Sequence, residues 1–364
     1  MCIRDRYRTE SYGGHYGPAF YNYFYEQNEM IANGTSEGVH LNFNSLGIGN
    51  GIIDEYIQAP FYPEFAVNNT YGIKAVNDTV YSYMKFALNM VEGCLEQVAG
   101  CRMTARETAT EQAICAEAEA ICRDSVESPY YYYSGRGTYD IRLTNALGPD
   151  PPNYYADYLN SEAVQNALGV SVNYTSNGAA TDIYYAFQQT GDFVYQNFKE
   201  DLDMLLQAGV RVALYYGDAD YICNWFGGEA VSLNVSYPHT EEFRAAGYQP
   251  FVVDGVEYGE VRQYGNFSFL RVYESGHLVP YYQPIGALAM FNRTIHHFDV
   301  ATGQVPLSVN LTSSGPAKAT HTESFVPLVT PTPSSSVAAS SSTVSATTVA
   351  VPQPKFNGKY RPIW

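Results

Sequence analysis

Apolar runs that end in turns divide the chain into predicted strands. Residues 39–51 and 210–217 are rich in apolar side chains and lead into glycine-containing turns. Residues 251–272 are typical of a hairpin that turns at Asp254-Gly255, and residues 267–272 continue it as a buried strand. Short apolar strands of this kind are typical of a parallel sheet covered on both faces. The pattern therefore predicts an α/β fold.

Helical segments lie between these strands. Residues 19–25 carry apolar side chains on most faces, which predicts a buried helix. Asn160 or Ser161 can cap a helix that Gly169 ends. Further helices are predicted at about 191–208 and 283–297, and surface loops at 130–133 and 149–152.

Four cysteines lie in a stretch of helical composition between Tyr81 and Cys122. Cys94 and Cys101 are seven residues apart, and so are Cys115 and Cys122, so each pair lies on one helix face. Two such helices packed antiparallel would place Cys94 opposite Cys122 and Cys101 opposite Cys115. This is one of three possible pairings. A zinc site is the alternative, although its usual ligand spacing is absent.

The net charge and the glycosylation motifs indicate which partners and which cellular compartment the protein has. The chain has 20 basic and 37 acidic residues and a net charge of −17, which disfavours nucleic acid and anionic membranes as partners. No apolar run is long enough to span a bilayer. Eight Asn-x-Ser/Thr sequons indicate the secretory pathway and N-linked glycans. They lie at Asn33, Asn68, Asn77, Asn173, Asn234, Asn266, Asn292 and Asn310.

The two ends of the chain differ from its middle. Residues 1–8 place several charges where a buried strand is expected, so we expect a foreign or artefactual prefix. No signal peptide is found there, which for a secreted protein suggests a missing N-terminal part. Residues 312–352 consist largely of Ser, Thr, Pro, Val and Ala with hardly any charge. We therefore predict a disordered, O-glycosylated tail over residues 304–364.

A candidate nucleophile lies near the start of the chain. Ser11 is followed by Tyr12-Gly13-Gly14 and an apolar run, as on a strand-to-helix turn. Thr9 stands at the first glycine position of the G-x-S-x-G pattern, so these five residues alone are weak evidence. Asp220 and His277 each follow a later predicted strand. The order Ser, Asp, His is that of α/β hydrolases.

Three motifs around these residues resemble those of the serine carboxypeptidase family. They are Glu-Ser-Tyr-Gly-Gly with His-Tyr-x-Pro, Gly-Asp-x-Asp before Ile-Cys-Asn-Trp, and Gly-His-x-Val-Pro-x-x-x-Pro. The resemblance covers most of residues 9–297. It implies an α/β-hydrolase fold whose first strands are missing, with a disulfide-linked helical cap insertion. It also implies a fungal-type enzyme, either extracellular or vacuolar.

The chemistry of a Ser-His-Asp triad and the resemblance together give the catalytic roles. Ser11 would attack the scissile carbonyl, and His277 would take its proton and then protonate the leaving amine. Asp220 would orient the imidazole, with Asp218 as the alternative. The amide of Tyr12 would donate to the oxyanion.

Three further residues are implied to bind substrate. Glu10, when protonated, would donate to the terminal carboxylate of the substrate, which predicts activity in acid. Cys223 is expected to be a free thiol that lines the pocket, and Leu278 another pocket residue. Neither a cofactor nor a metal is expected.

The resemblance implies a serine-type carboxypeptidase that releases C-terminal amino acids from peptides or proteins through an acyl-enzyme. The family's upstream W-x-N-G-G-P-G-x-S-S stretch, with a second oxyanion donor, is absent, so we expect an incomplete fragment. An acyltransferase or lyase of the same family, or a secreted glycoprotein with a relic site, are the alternatives. The predicted catalytic domain comprises 9–54 and 186–303, with the cap at 55–185.

Overall fold

The computed structural model describes residues 6–144, 154–175, 179–195 and 198–324. Residues 1–5 of the predicted prefix, the predicted proline-rich loop at 149–152 and residues 325–364 of the predicted tail lie outside these ranges. Among the described residues, no helix is long and apolar enough to cross a membrane.

A mixed sheet forms the centre of the fold. In space its strands follow the order β1-β2-β3-β6-β5-β4. The first four in that order pair in parallel, and β5 and β4 continue the sheet as antiparallel strands. The strands are β1 (Arg6–Glu10), β2 (Ser45–Gly49), β3 (Arg211–Gly217), β4 (Gln249–Val253), β5 (Val256–Tyr264) and β6 (Phe267–Val272).

The predicted strands are present and the α/β class is confirmed. Every residue of β2, β3 and β6 is buried, which is why their sequences are mostly apolar and do not alternate with exposed polar residues. The hairpin between β4 and β5 turns at Asp254-Gly255, where both residues have positive φ. Parallel pairing of β1, β2, β3 and β6 places the segments that follow them at one edge of the sheet.

Helices precede or follow most of these strands along the chain. α1 follows β1 directly, α12 and α13 flank β3, and α16 follows β6 along the chain. The helices are α1 (Gly13–Ala32), α2 (Glu55–Gln58), α3 (Phe61–Val67), α4 (Asp78–Asn89), α5 (Cys94–Arg102), α6 (Ala109–Ile121), α7 (Ser128–Tyr133), α8 (Tyr154–Leu159), α9 (Glu162–Leu168), α10 (Ala179–Thr190), α11 (Asp192–Tyr195), α12 (Phe198–Gln207), α13 (Trp225–Asn234), α14 (Thr240–Ala245), α15 (Val279–Tyr282) and α16 (Pro284–Ile295), with a π-helical turn at Cys122–Glu127 after α6.

Strand β1 forms in spite of its charged residues. Arg6–Glu10 pairs in register with Ser45–Gly49. The Arg8 guanidinium donates to the carbonyls of Tyr7 and Ser45, at 2.8 and 3.2 Å, and lies over the Phe291 ring. Residues 6–8 of the expected prefix are therefore part of the sheet, because the long Arg8 side chain reaches backbone acceptors.

The disulfides have the nested pairing. Cys94 is bonded to Cys122 and Cys101 to Cys115, which links α5 to α6 and to the turn after it. Thr108 begins α6 with a capping box formed with Glu111. The prediction from the seven-residue spacing is confirmed for both bonds.

Three local predictions need correction. The tyrosines at 130–133 belong to α7, because Pro129 lies in the first turn of this helix and Tyr130 is buried in a ring stack with Tyr221 at 3.5 Å. The helix predicted at 191–208 is two helices, α11 and α12. Residues 304–324 are packed rather than free: Arg262 donates to the Ala317 carbonyl and Arg271 to the His321 carbonyl, at 2.7 Å each.

The described residues fall into two compact units. One comprises 6–144 with 186–324, so the disulfide-linked helices belong to the same unit as the sheet. The other comprises residues 154–175 and 179–185. In the second unit Ser161 precedes α9 and Gly169 ends it with φ +69°, as predicted, although Ser161 makes no side-chain cap.

Candidate active site

Ser11 lies on a sharp turn between β1 and α1. Its φ is +60°, an uncommon conformation for a residue with a side chain. The Ser11 amide donates to the Gly49 carbonyl at 3.0 Å, and its carbonyl accepts from the amides of Ile52 and Gly14 at 3.0 and 2.9 Å. These three bonds hold the strained residue at the end of the sheet, as in a nucleophile elbow.

Small residues are required around this turn for steric reasons. A Cβ added to Gly14 would lie 2.2 Å from the Ile52 carbonyl oxygen. One added to Gly13 or Gly17 would lie within 2.7 Å of the Thr9 side chain. The Thr9 side chain thus fills the space that Gly13 and Gly17 leave free on α1. This explains how threonine can stand at the first glycine position of the G-x-S-x-G pattern.

Asp220 and His277 form a buried pair at the ends of β3 and β6. The Nδ1 atom of His277 lies 2.7 Å from Oδ2 of Asp220, and the His277 amide donates to the Tyr139 carbonyl at 2.9 Å. Burial lowers the pKa of His277, but the charge and hydrogen bond of Asp220, with the charge of Glu10, outweigh it and raise the pKa overall. The bond at Nδ1 leaves Nε2 for a nucleophile or leaving group.

Asn50 holds Asp220 beside the end of β3, a role that sequence reasoning missed. Its Nδ2 donates to Oδ2 of Asp220 at 2.8 Å, and its Oδ1 accepts from the Gly217 amide at 3.1 Å. The residue has φ +39° in the turn after β2. The Ile-Gly-Asn-Gly sequence at that turn was the available signal, because asparagine tolerates positive φ after a strand.

Asp218, the alternative carboxylate, contacts other residues. Its Oδ1 accepts from the Tyr71 hydroxyl at 2.6 Å, and Oδ2 lies 3.7 Å from an Arg271 nitrogen. Burial raises the pKa of Asp218 to about 6, against the charge of Arg271. The geometry therefore favours Asp220 as the partner of His277.

Cys223 lies close to both members of the pair and to the Ser11 side chain. The thiol is free and buried, and its sulfur lies within 4.8 Å of the donor atoms of Asp220 and His277. Burial raises the pKa of Cys223, with Asp220 adding to the effect and the Ser11 side chain opposing it. Among the described residues no hydrogen bond joins Ser11 to His277; such bonds often tighten only when substrate binds.

Glu10, Tyr12 and Leu278 lie beside these groups. Glu10 is half-buried, and burial raises its pKa, opposed by the charge of His277 and reinforced by Asp220. The Tyr12 ring is partly exposed, and Leu278 is partly exposed at the start of α15. The structure thus places all seven predicted site residues around the carboxyl ends of β1, β3 and β6.

Two groups of side chains have metal-ligand types at close range. Asp220, Cys223 and His277 form one, and Glu55 with Cys94 and Cys122 the other. In the first the carboxylate and imidazole are bonded to each other, and in the second both sulfurs are in a disulfide. The first group is therefore better suited to proton transfer than to holding a metal.

The sequon asparagines are accessible. Asn266 is partly exposed and the other seven are exposed, among them Asn33 and Asn310. Asn266 also donates to the Gly209 carbonyl at 2.8 Å.

Comparison with known proteins gives consistent matches. The serine carboxypeptidase family model matches residues 7–297. Carboxypeptidase S1 homolog B of Arthroderma otae is 44% identical over 315 residues, which cover 82% of this chain and 48% of the relative. Carboxypeptidase S1 of Penicillium janthinellum is 37% identical over 289 residues, covering 79% of this chain and 65% of the relative.

A solved structure shares the fold. Kex1Δp, a prohormone-processing carboxypeptidase from Saccharomyces cerevisiae, superimposes with a TM-score of 0.58 at 19% identity, over 80% of this chain and 62% of that one. The chain spans about half the length of the first curated relatives it matches. The match over most of the described sheet and its site residues shows that this chain belongs to the serine carboxypeptidase family.

Proposed function

We propose that the protein carrying this chain is a serine carboxypeptidase that removes C-terminal amino acids from peptides through an acyl-enzyme. The observation that carries the proposal is the His277–Asp220 bond of 2.7 Å beside a serine held at φ +60°. A strained serine next to a histidine with a buried carboxylate partner is the arrangement that activates a hydroxyl.

The reaction follows from these contacts. His277 takes the proton of Ser11 through Nε2 as the hydroxyl attacks the substrate carbonyl, and the raised pKa of His277 strengthens it as a base. Asp220, held by Asn50, stabilises the imidazolium. The Tyr12 amide supports the oxyanion, His277 protonates the leaving amino acid, and water then releases the acyl group from Ser11.

Glu10 gives the proposed enzyme its preference for a free carboxylate. Because burial raises its pKa, Glu10 remains protonated to a higher pH than an exposed glutamate and can donate to an anionic terminus. This binding is present below the pKa of Glu10 and is lost as the pH rises through it. Cys223 and Leu278 would form the pocket beside it.

The proposed location is the secretory pathway, either outside the cell or in the vacuole. Seven exposed sequons and one partly exposed sequon support N-linked glycans. Two disulfides support an oxidising compartment. The proposed substrates are the C-termini of peptides or proteins.

Replacement of Ser11 tests the proposal in the full-length protein. We expect wild type to release a free amino acid from N-blocked dipeptides and to be labelled by a fluorophosphonate, whereas Ser11→Ala does neither. Ser314→Ala, at an exposed serine, is the matched control and should behave as wild type. Labelling that survives Ser11→Ala would remove Ser11 as the nucleophile, and transfer to an added acceptor without hydrolysis would indicate an acyltransferase.

A further inference from the structure

Tyr12 contributes two different groups to the site. Its backbone amide is the proposed oxyanion donor, and its side chain reaches away from Ser11 toward another part of the chain. The Tyr12 hydroxyl donates to Oδ2 of Asp192 at 2.8 Å, 180 residues further along. The ring lies against His15 at 4.4 Å and Phe193 at 6.4 Å between centroids.

We propose that Asp192 is a positioning residue, which fixes the oxyanion amide of Tyr12 by holding the phenol at the other end of the same residue. The inference rests on the proposed function of Ser11. It extends the site to α11, which contributes none of the predicted catalytic groups.

The peptide group between Ser11 and Tyr12 is held from two sides. Its carbonyl oxygen accepts from the amides of Ile52 and Gly14, so the N–H on the opposite side of the planar group points away from them. These bonds fix one end of the group, and beyond it the Tyr12 carbonyl accepts from the amides of His15 and Tyr16 at 2.9 and 3.4 Å. The bond from the phenol to Asp192 adds a restraint at the Tyr12 side chain, on this second side of the peptide group.

Asp192 is itself held in place. Its Oδ1 lies 3.4 Å from Nη1 of Arg106, and its Oδ2 lies 3.9 Å from Nδ1 of the buried His15. Burial alone would raise the pKa of Asp192, but the contacts with His15, Tyr12 and Arg106 lower it overall. Asp192 is therefore an ionised acceptor, which makes the bond from Tyr12 stronger than one between neutral groups.

The start of α11 is fixed against the disulfide-linked helices. Gly191 has φ +65°, and a Cβ added there would lie 2.3 Å from the Cys115 carbonyl carbon. Cys115 is bonded to Cys101, and Arg106 lies in the loop between them. The disulfide-linked hairpin thus provides a rigid support on which Asp192 holds Tyr12.

Two conservative variants test the inference in the full-length protein. Tyr12→Phe keeps the ring and removes the donor, and Asp192→Asn keeps the shape and removes the charge. Complete loss of an oxyanion donor costs about 10²–10³ in rate, so a misplaced donor should cost less, about 10-fold in kcat, with KM within about 2-fold. Because both variants break one bond, the double variant should be no slower than either single one.

A second measurement separates positioning from a general structural effect. A peptide aldehyde adds to the serine and places its oxygen where the oxyanion forms, so its affinity should fall in proportion to kcat, while product affinity stays constant. Tyr16→Phe, an exposed phenol one turn along α1, is the matched control and should match wild type.

Three results would overturn the inference. They are a raised KM at unchanged kcat, additive losses in the double variant, or a wild-type aldehyde affinity in both single variants. A wild-type protein that is neither labelled nor active would instead refute the proposed function, and the inference with it.

Discussion

Replacing Glu119 with glutamine should change how the stability of the protein depends on pH. Glu119 lies on α6 and is 4% exposed, and its Oε2 has no hydrogen-bond partner among the described residues. Burial raises its pKa to about 7, although Arg123 and the Phe193 amide favour the ionised form. The folded protein therefore holds a proton at Glu119 that the unfolded chain releases near its ordinary pKa of 4.5.

The sign and size of the effect follow from this difference. A raised folded pKa contributes stability that is fully present below about 4.5 and is lost as the pH rises through about 7. One pKa unit corresponds to about 1.4 kcal/mol, so the free energy of unfolding should fall by an amount on the order of 3 kcal/mol over this interval. Glutamine has the same shape as glutamate but does not titrate. The Glu119→Gln variant should therefore not show this loss of stability between the two pH values.

Denaturant unfolding across this pH range measures the effect. We expect the free energy of unfolding of the wild type to fall more steeply than that of Glu119→Gln between about pH 4.5 and 7.5. Glu117→Gln is the matched control, since Glu117 is exposed on the same helix. Equal pH slopes in wild type and Glu119→Gln would refute the reasoning.

Two further substitutions test the roles of single carboxyl groups. Asp220→Asn should lower kcat by about 10⁴ because His277 loses the partner that fixes its tautomer. Asp218→Asn, which removes the negative charge beside Arg271, should alter thermal stability with little change in kcat, and equal kcat losses in the two variants would contradict the assignment. Glu10→Gln should bind free-carboxylate peptides about equally at acid and neutral pH. The measurement is KM as a function of pH, with amidated peptides as the control. A wild-type pH dependence of KM in the variant would show that Glu10 does not bind the terminus.

The sequence predicted those parts of the site that lie at strand ends. Ser11, Asp220 and His277 follow β1, β3 and β6, and parallel strands bring their carboxyl ends to one edge. The disulfide pairing was predictable in the same way, since a spacing of seven residues is two turns of one helix. In both cases a local pattern fixes which side chains share an edge or a face.

Contacts between distant segments could not be predicted in this way. Asn50 reaches Asp220 across 170 residues, and Tyr12 reaches Asp192 across 180. No periodicity links such pairs, because their proximity depends on how helices pack against the sheet. Residues 304–324 were misjudged for the same reason: their polar composition resembles a tail, but their carbonyls accept from buried arginines of β5 and β6.

Burial of carboxyl groups connects the stability of this protein with its proposed substrate recognition. Burial raises the pKa of Glu10 beside the triad, and it also raises those of Glu55, Glu119 and Asp218. Each of these groups favours the folded state most when protonated, so all four act in the same direction as the pH falls. A chain with a net charge of −17 also repels itself less as its acids take up protons. Over the pH range in which Glu10 gains the proton that binds a terminal carboxylate, these buried carboxyl groups therefore stabilise the fold as well, while Asp192 and Asp299, whose pKa values are lowered, act in the opposite direction.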